Sequence, residues 1–465
     1  MSLREHELPY HADSTVLFGH IAHLPWAIYL DSGRPSSQYG RYDIMVAEPF
    51  ATLATDGLIT QVVDADGNNA SVEDPFMLLG QQLARYSAPA SRFPFTGGAM
   101  GFFGYDLARR LEQLPDHAID SESIPQMMVG LYDWAVVVDH HEKRAWLVTH
   151  ELNSQTESDW LRLCALFEQP LPQPAGNFRV KSSVHSNMDK VGYATAFNQI
   201  KQYIYEGDCY QVNLAQRFSA MVEGDAWQAY QQLRRIAPAP YMAYMNLPQM
   251  QVLSASPERF LQTKKGRVET RPIKGTRPRH DDPAQDANNR AELEGSLKDK
   301  AENLMIVDLL RNDIGKNCTA GSVRVEQLFE LESFANVHHL VSTVTGELDR
   351  GRTAIDLLRG CFPGGSVTGA PKLRAMQIIE ELEPNRRGLY CGAIGYIGFD
   401  GNMDTNITIR TGVYSAGEFR FWAGGGIVAD SELHKEYSET WDKASSMLQL
   451  MQHFTKERSD TDVGN

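Results

Sequence analysis

Met242-Ala-Tyr-Met-Asn-Leu-Pro-Gln-Met-Gln-Val-Leu-Ser-Ala-Ser-Pro-Glu-Arg-Phe-Leu-Gln-Thr-Lys-Lys-Gly-Arg-Val-Glu-Thr-Arg-Pro-Ile-Lys-Gly-Thr276 sets the class of this fold. Met242 to Leu247, Gln251 to Ser254 and Arg259 to Thr263 read as successive strands, and a fourth, Gly266 to Arg271, runs into Pro272. Strand beside strand, with no helix between, favours α+β with antiparallel or mixed sheets. The stretch closes on Arg271-Pro272-Ile273-Lys274-Gly275-Thr276, where Pro272 pins the backbone and Gly275 frees it. Such a frame can hold one amine in a fixed place, and an amine in a pocket can lose its proton and become a nucleophile. On this hexapeptide alone, a surface-loop lysine is the commoner reading.

The same pattern extends in both directions. Gly130 to Asp139 reads as one buried strand, with Arg144 to Thr149 as its hairpin mate. Lys190 to Glu206 is helical and Cys209 to Phe218 strand-like. Leu297 to Leu310 is a strong helix, Pro371 to Leu382 another, and Glu436 to Phe454 closes the chain as a third. Strands are expected at Gly392 to Phe399, Met403 to Val413 and Arg420 to Ala423. The Pro- and Gly-rich stretch Gln169 to Gly176 is the best linker. The expected organisation is an N-terminal α+β region over 1–168, a linker over 169–189, a catalytic region over 190–455 and a frayed tail over 456–465.

Composition bounds the function. Forty-four basic and 59 acidic residues leave a formal charge of −15, which argues against nucleic acid or an anionic membrane as the main partner. No run of 18 apolar residues exists, and the charged N-terminus lacks the apolar centre of a secretory signal. The five cysteines are scattered without a CxxC pair, as expected of reduced thiols in a cytoplasm.

Several residue sets can carry chemistry. Asp299 and Glu302, and again Glu436 and Glu439, are three apart on predicted helices, which places each pair on one face. Two such faces across a cleft would offer oxygen ligands to Mg²⁺; two solvated faces are the commoner reading. Phe362 to Lys372 is glycine-rich and opens a helix, but Ala370-Pro371 stands where a nucleotide P-loop needs Lys and Ser or Thr. Ala423-Gly-Gly-Gly426 either lets backbone approach a ligand or makes a tight turn. Arg410, read as mid-strand, could bind a carboxylate, and Lys443 follows Glu439 by four. Glu258 in Ser256-Pro-Glu-Arg-Phe260 is either a placed general acid or a turn carboxylate paired with Arg259. His338-His339 suits a metal, an anion or the core.

Together these segments resemble the chorismate-utilising enzymes. The resemblance runs through Gly207 to Leu214, Ser256 to Phe260, Pro272 to Thr276, Ala301 to Asp313, Phe362 to Lys372, Gly424 to Ser431 and Glu436 to Lys443. His23 to Ala27 also looks family-like. The resemblance implies a large fold of antiparallel or mixed sheets packed in a sandwich with helices outside, and a Mg²⁺-dependent cleft. Glu302 and Glu439 would be metal ligands, with Asp299 and Glu436 beside them. Thr276, His339, Ser366, Tyr390, Arg410, Gly425, Gly426 and Lys443 would hold the substrate, with Glu258 and Lys274 catalytic. Ser32, Tyr39, Gly40, Arg41, Tyr42, Pro240, Tyr241 and Met242 match, in part, a tryptophan pocket found in the family.

Two positions separate the branches. Water-using members look to carry a lysine base where this chain has Gln211, and an amide cannot deprotonate water. Anthranilate synthase looks to carry alanine where this chain has Lys274. The resemblance therefore implies the branch that aminates chorismate at C4, on the way to 4-aminobenzoate and folate. Ammonia would come from a separate glutamine amidotransferase subunit, since no Cys-His-Glu glutaminase pattern is evident. The rivals are anthranilate synthesis with Lys274 incidental, an idle scaffold for a glutaminase or tryptophan, and, more distantly, a nucleotide hydrolase.

Overall fold

In the computed structural model, which describes residues 3–36, 40–173, 176–333 and 337–461, two large sheets lie face to face. Among the described residues the first has 13 strands. Its main path runs Arg4–Leu8, Arg144–Thr149, Trp134–Asp139, Tyr42–Val46, Ala27–Asp31, Tyr241–Leu247, Met250–Ser256, Thr411–Ser415, Glu418–Ile427, Gln211–Glu223 and Arg179–Val180. The second has 12, along Ile273–Pro278, Val337–Glu347, Arg267–Thr270, Arg259–Lys264, Met403–Ile407, Ala393–Gly398, Gly98–Phe103, Met127–Tyr132, Ala51–Asp56, Ile59–Asp64 and Gly67–Ser71. The long ladders are antiparallel, as in Tyr241–Leu247 against Met250–Ser256.

Side-chain alternation explains the layers. In Trp134–Asp139, Trp134, Val136 and Val138 enter one core cluster, while Ala135 and Val137 enter another. Tyr241–Leu247 divides the same way, Met242 and Tyr244 against Ala243, Met245 and Leu247. Successive residues face opposite sides of a strand, so a strand buried on both faces reads as a continuous apolar run. The cluster holding Ala135, Val137, Ala243 and Met245 also holds Met100, Phe102 and Met128 of the second sheet, so it fills the space between the sheets. Helices cover the outer faces. Leu433–Thr461 and Ala226–Ile236 lie on the first sheet, and Leu297–Gly315, Ala354–Cys361 and Pro75–Ala84 on the second. This is the sandwich with outer helices that the resemblance implies.

Two expected strands are each broken in two. The run 130–139 is split at Asp133, with Met127–Tyr132 in the second sheet and Trp134–Asp139 in the first. The run 403–413 is split between Met403–Ile407 in the second sheet and Thr411–Ser415 in the first. In both places the chain crosses between layers, which a hydropathy pattern shared by both layers conceals. Both sheets take strands from either side of residues 169–189, and Arg179–Val180 and His185–Ser186 within that stretch pair with Gln211–Glu223. That stretch divides the sequence but not the sheets. The last helix continues through Thr461, into the stretch read as a frayed tail.

Candidate active site

Two sheet crossings run side by side and hold two of the candidate residues. The chain leaves the first sheet at Ser256, passes Pro257 and Glu258, and enters the second at Arg259. It returns from Ile407 through Arg410 to Thr411. The crossings are tied together: the Ile407 N–H donates to the Glu258 carbonyl at 3.0 Å and the Ala255 N–H to the Arg410 carbonyl at 3.0 Å. Ser256 Oγ donates to the Ile407 carbonyl at 2.6 Å. Arg410 is therefore not mid-strand; it sits in the break with φ +50°, in the left-handed region. Among the described residues its half-buried guanidinium makes no ion pair or hydrogen bond. Burial holds its pKa below the usual arginine value, opposed by the charge of Glu258.

Glu258 and Lys274 meet through Ser366. The Ser366 hydroxyl donates to Glu258 Oε1 at 3.2 Å, and the Lys274 ammonium donates to the Ser366 carbonyl at 3.3 Å. Glu258 is buried, and burial raises its pKa against the opposing charge of Lys274 and the hydrogen bond from Ser366. Lys274 is moved the other way, down, by burial, with Glu258 opposing. Gly275, at φ +82°, follows it; a Cβ there would stand 2.8 Å from Leu293 Cδ1 and 3.0 Å from Asp299. The neighbouring ladder pairs Thr276 with His339, and Thr276 Oγ1 lies 2.9 Å from His339 Nδ1. Burial, then Arg410, pushes the His339 imidazole down to about 4, so it is neutral at physiological pH. His338 is a buried anchor, bonded to Asp286 at 3.0 Å and Ser333 at 2.7 Å.

The acidic pairs on the two helices converge in part. Lys298 lies 3.7 Å from Glu302 and 3.9 Å from Glu436, so both carboxylates face one cation. Gly425 looks at Glu436 and Glu439: a Cβ there would stand 3.2 and 3.5 Å from their oxygens. Burial raises Glu302 and Glu436, opposed at Glu302 by Lys274 and at Glu436 by the Ser431 hydroxyl. Burial also acts to raise Glu439, but Lys443 beside it brings it below its usual value. Lys443 makes the i,i+4 pair with Glu439 at 2.7 Å and also donates to the Gly424 carbonyl at 3.0 Å. Asp299 pairs with Arg277 at 3.3 Å, and its charge adds to the raising of Glu302. Among the described residues no three His, Cys, Asp or Glu side chains form a closed metal cage. The oxygen-only donors and the open backbone at Gly425 nonetheless suit Mg²⁺, which takes one or two carboxylates and keeps its waters.

Other expected residues are placed less directly. Tyr390 is buried, its ring stacked 6.2 Å from Trp422. Trp422 lies in the same strand as Gly424–Gly426, so Tyr390 borders the glycine strand. Gln211 is 1% exposed with neither amide atom hydrogen-bonded; a Cβ on Gly426 would lie 2.9 Å from its Cδ. Ser32, Gly40, Arg41, Tyr42, Pro240, Tyr241 and Met242 line a separate cavity of about 380 Å³, which Arg259 also borders; Tyr39 lies outside the described residues. Glu258, in the crossing, reaches Ser366, while Arg259, the first residue of the next strand, borders this cavity. Sequence reasoning missed the bridging by Ser366 and Lys298. Ser366 was expected only as a substrate contact, and Lys298 is marked only by its spacing of four to Glu302.

Known proteins match this chain over most of its length. The family described as chorismate binding enzyme matches residues 27–449. Aminodeoxychorismate synthase component 1 of Klebsiella aerogenes is 49% identical over 96% of this chain and 98% of that protein. The protein of the same name from Escherichia coli (strain K12) is 48% identical over 94% and 95%. Among solved structures, anthranilate synthase component I of Streptococcus pneumoniae TIGR4 superposes with a TM-score of 0.79 at 32% identity, covering 88% of this chain and 92% of that one.

Proposed function

The chain belongs to the family of chorismate binding enzymes, and from that premise we propose that it aminates chorismate to 4-amino-4-deoxychorismate as the synthase component of an aminodeoxychorismate synthase. Full-length identity of 47–49% to three proteins of that name supports the reaction. The observation that carries the mechanism is the shared contact of Glu258 and Lys274 with Ser366.

With burial raising Glu258 and lowering Lys274, their ordinary gap in proton affinity narrows. One proton shared by the pair can then rest on the carboxyl, leaving the amine neutral. Protonated Glu258 is the general acid and neutral Lys274 the nucleophile. Lys274 Nζ forms a bond to C2 of the ring as the C4–O bond breaks and Glu258 gives its proton to the departing oxygen, which leaves as water. Ammonia then adds at C4, the C2–N bond breaks, Lys274 recovers its lone pair, and the new C4 ammonium returns one proton to the Glu258 carboxylate. Chorismate plus ammonia becomes aminodeoxychorismate plus water, with the pyruvyl group retained.

Glu302 and Glu439 would hold Mg²⁺, with Asp299 and Glu436 alongside; when bound it supplies charge neutralisation for the substrate carboxylates and polarises the ring. Arg410 pairs with a substrate carboxylate, favoured by a guanidinium that makes no ion pair or hydrogen bond among the described residues. Tyr390, Lys443, Thr276, His339 and the Gly425–Gly426 backbone complete the cradle. Gln211 leaves water without a base, which favours ammonia as the nucleophile. A separate glutaminase subunit supplies that ammonia, in keeping with the component naming of the relatives. The cavity beside Arg259 has the size and aromatic lining for tryptophan.

Product identification tests the reading. Purified protein with chorismate, Mg²⁺ and ammonium near pH 8.5, where a useful fraction is NH₃, should yield aminodeoxychorismate by mass spectrometry. That product should become 4-aminobenzoate only when a lyase is added. Anthranilate would remove the role of Lys274, and unchanged chorismate would favour the scaffold reading.

A further inference from the structure

Arg387 is 1% exposed and heads the largest fully buried side chains of the protein. All three nitrogens of its guanidinium are bonded. Nε donates to Glu383 Oε2 at 2.9 Å and Nη2 to Glu383 Oε1 at 2.7 Å. Nη2 also donates to the Asn213 carbonyl at 2.8 Å, and Nη1 to the Val367 carbonyl at 3.0 Å. Its Cζ lies 4.9 Å from the ring of Tyr105 and 5.6 Å from that of Tyr390.

The pair with Glu383 alone would neutralise the charge. The two remaining bonds reach main-chain carbonyls on different segments of the site. Val367 adjoins Ser366, which touches both Glu258 and Lys274. Asn213 pairs with Gly426 across the ladder. The loop and the strand are already joined by the Asn213 N–H donating to the Thr368 carbonyl at 2.8 Å. The Tyr210 N–H donating to the Ala370 carbonyl at 2.7 Å joins them again at the far end of the loop, and Arg387 adds a connection at Val367, the residue next to Ser366.

Resting on the function proposed above, we propose that Arg387 is a positioning residue: its fork locks the Ser366 loop to the Asn213 strand and so fixes Glu258 and Lys274 relative to the glycine backbone that receives substrate. A planar guanidinium spans a carboxylate and two carbonyls in fixed directions; an ammonium at the end of a lysine reaches fewer of them. Displacement of about 1 Å in a reacting group is enough to cost a large factor in rate.

The test compares Arg387→Lys with Glu383→Gln in the full chain, assayed with chorismate and ammonium well below the melting midpoint. Arg387→Lys should fold yet lose at least about fivefold in kcat, with less than about threefold change in chorismate KM. Glu383→Gln keeps both carbonyl bonds; it should lower the melting midpoint while kcat stays within about fivefold. A merely structural role predicts that activity follows stability in both. Full kcat in folded Arg387→Lys, or a loss in Glu383→Gln as large as in Arg387→Lys, overturns the inference. Should Arg387→Lys fail to fold, Glu383→Gln decides alone by the same limit. An inactive wild type would sink the functional reading and this inference with it; an active wild type beside an active Arg387→Lys sinks the inference alone.

Discussion

Arg410→Met should stabilise the free protein and weaken its hold on chorismate, two effects of opposite sign from one substitution. Arg410 is half-buried without a direct partner among the described residues. Its pKa is depressed by burial, yet an arginine stays charged throughout the working pH range, so the cost of the lone charge is nearly constant with pH. Methionine fills similar space without that charge. An unsatisfied buried polar group costs about 1–3 kcal/mol, and partial exposure puts the gain near the lower end, about 1 kcal/mol. Spread over a chain of 465 residues, that moves the melting midpoint by only about 1–2 °C. The urea midpoint is therefore the better readout. Truncating one partner of a buried, hydrogen-bonded charge pair costs about 2–5 kcal/mol. Taking about 2 kcal/mol for this half-buried site gives about a 30-fold rise in the Kd for chorismate. Isothermal titration of chorismate into wild type and Arg410→Met measures it. An unchanged Kd together with a lower urea midpoint would mean that Arg410 supports the fold and does not receive substrate, and the reasoning would be refuted.

Other perturbations separate the remaining roles. Lys274→Ala should slow aminodeoxychorismate formation by orders of magnitude even at saturating ammonium; unchanged turnover would remove the covalent step. Glu258→Gln should lower kcat far more than chorismate affinity, and equal losses in both would count against general-acid chemistry. A chelator should abolish turnover and added Mg²⁺ restore it, with Glu439→Gln demanding more Mg²⁺; activity indifferent to chelation would detach the glutamates from a metal. Asp133, at the first sheet crossing, has its pKa raised to about 6 by burial, despite the Asn153 N–H donated to it at 2.8 Å. Its folded pKa lies above its unfolded value, so its contribution is fully present below about pH 4 and is lost as pH rises through about 6. Asp133→Asn should therefore gain up to about 3 kcal/mol over wild type at pH 8 and nothing at pH 3.5. A gain independent of pH in urea melts would refute this.

Much of the architecture was legible because local chemistry repeats along the chain. Lys190–Glu206 is capped by the Asp189 carboxylate accepting from the Gly192 N–H and ends at Gly207 in the left-handed region, both visible as residue types. The strand run 242–263 was legible because strands buried on both faces are apolar throughout. Spacing of three put Glu436 and Glu439 on one helix face, and both do look at Gly425. The frame around Lys274 was equally visible, with Gly275 in the conformation that only glycine adopts cheaply.

The rest depends on pairings far apart in the chain. Nothing in the apolar run around Asp133, or in Thr408-Ile-Arg410, marks the point where the chain changes sheets, because both layers bury similar side chains. Hydropathy periodicity reports that a face is covered and not by which partner. The same limit hid the meeting of Ser366 with Glu258 across 108 residues and with Lys274 across 92. It hid Lys298 between two helices, and the bonds of Arg387 to Val367 and Asn213. Local sequence specifies which groups are available and which way each element presents them. Their distances, their burial and hence their proton affinities arise only when the two sheets close on each other, since desolvation and charge proximity are properties of the packed chain.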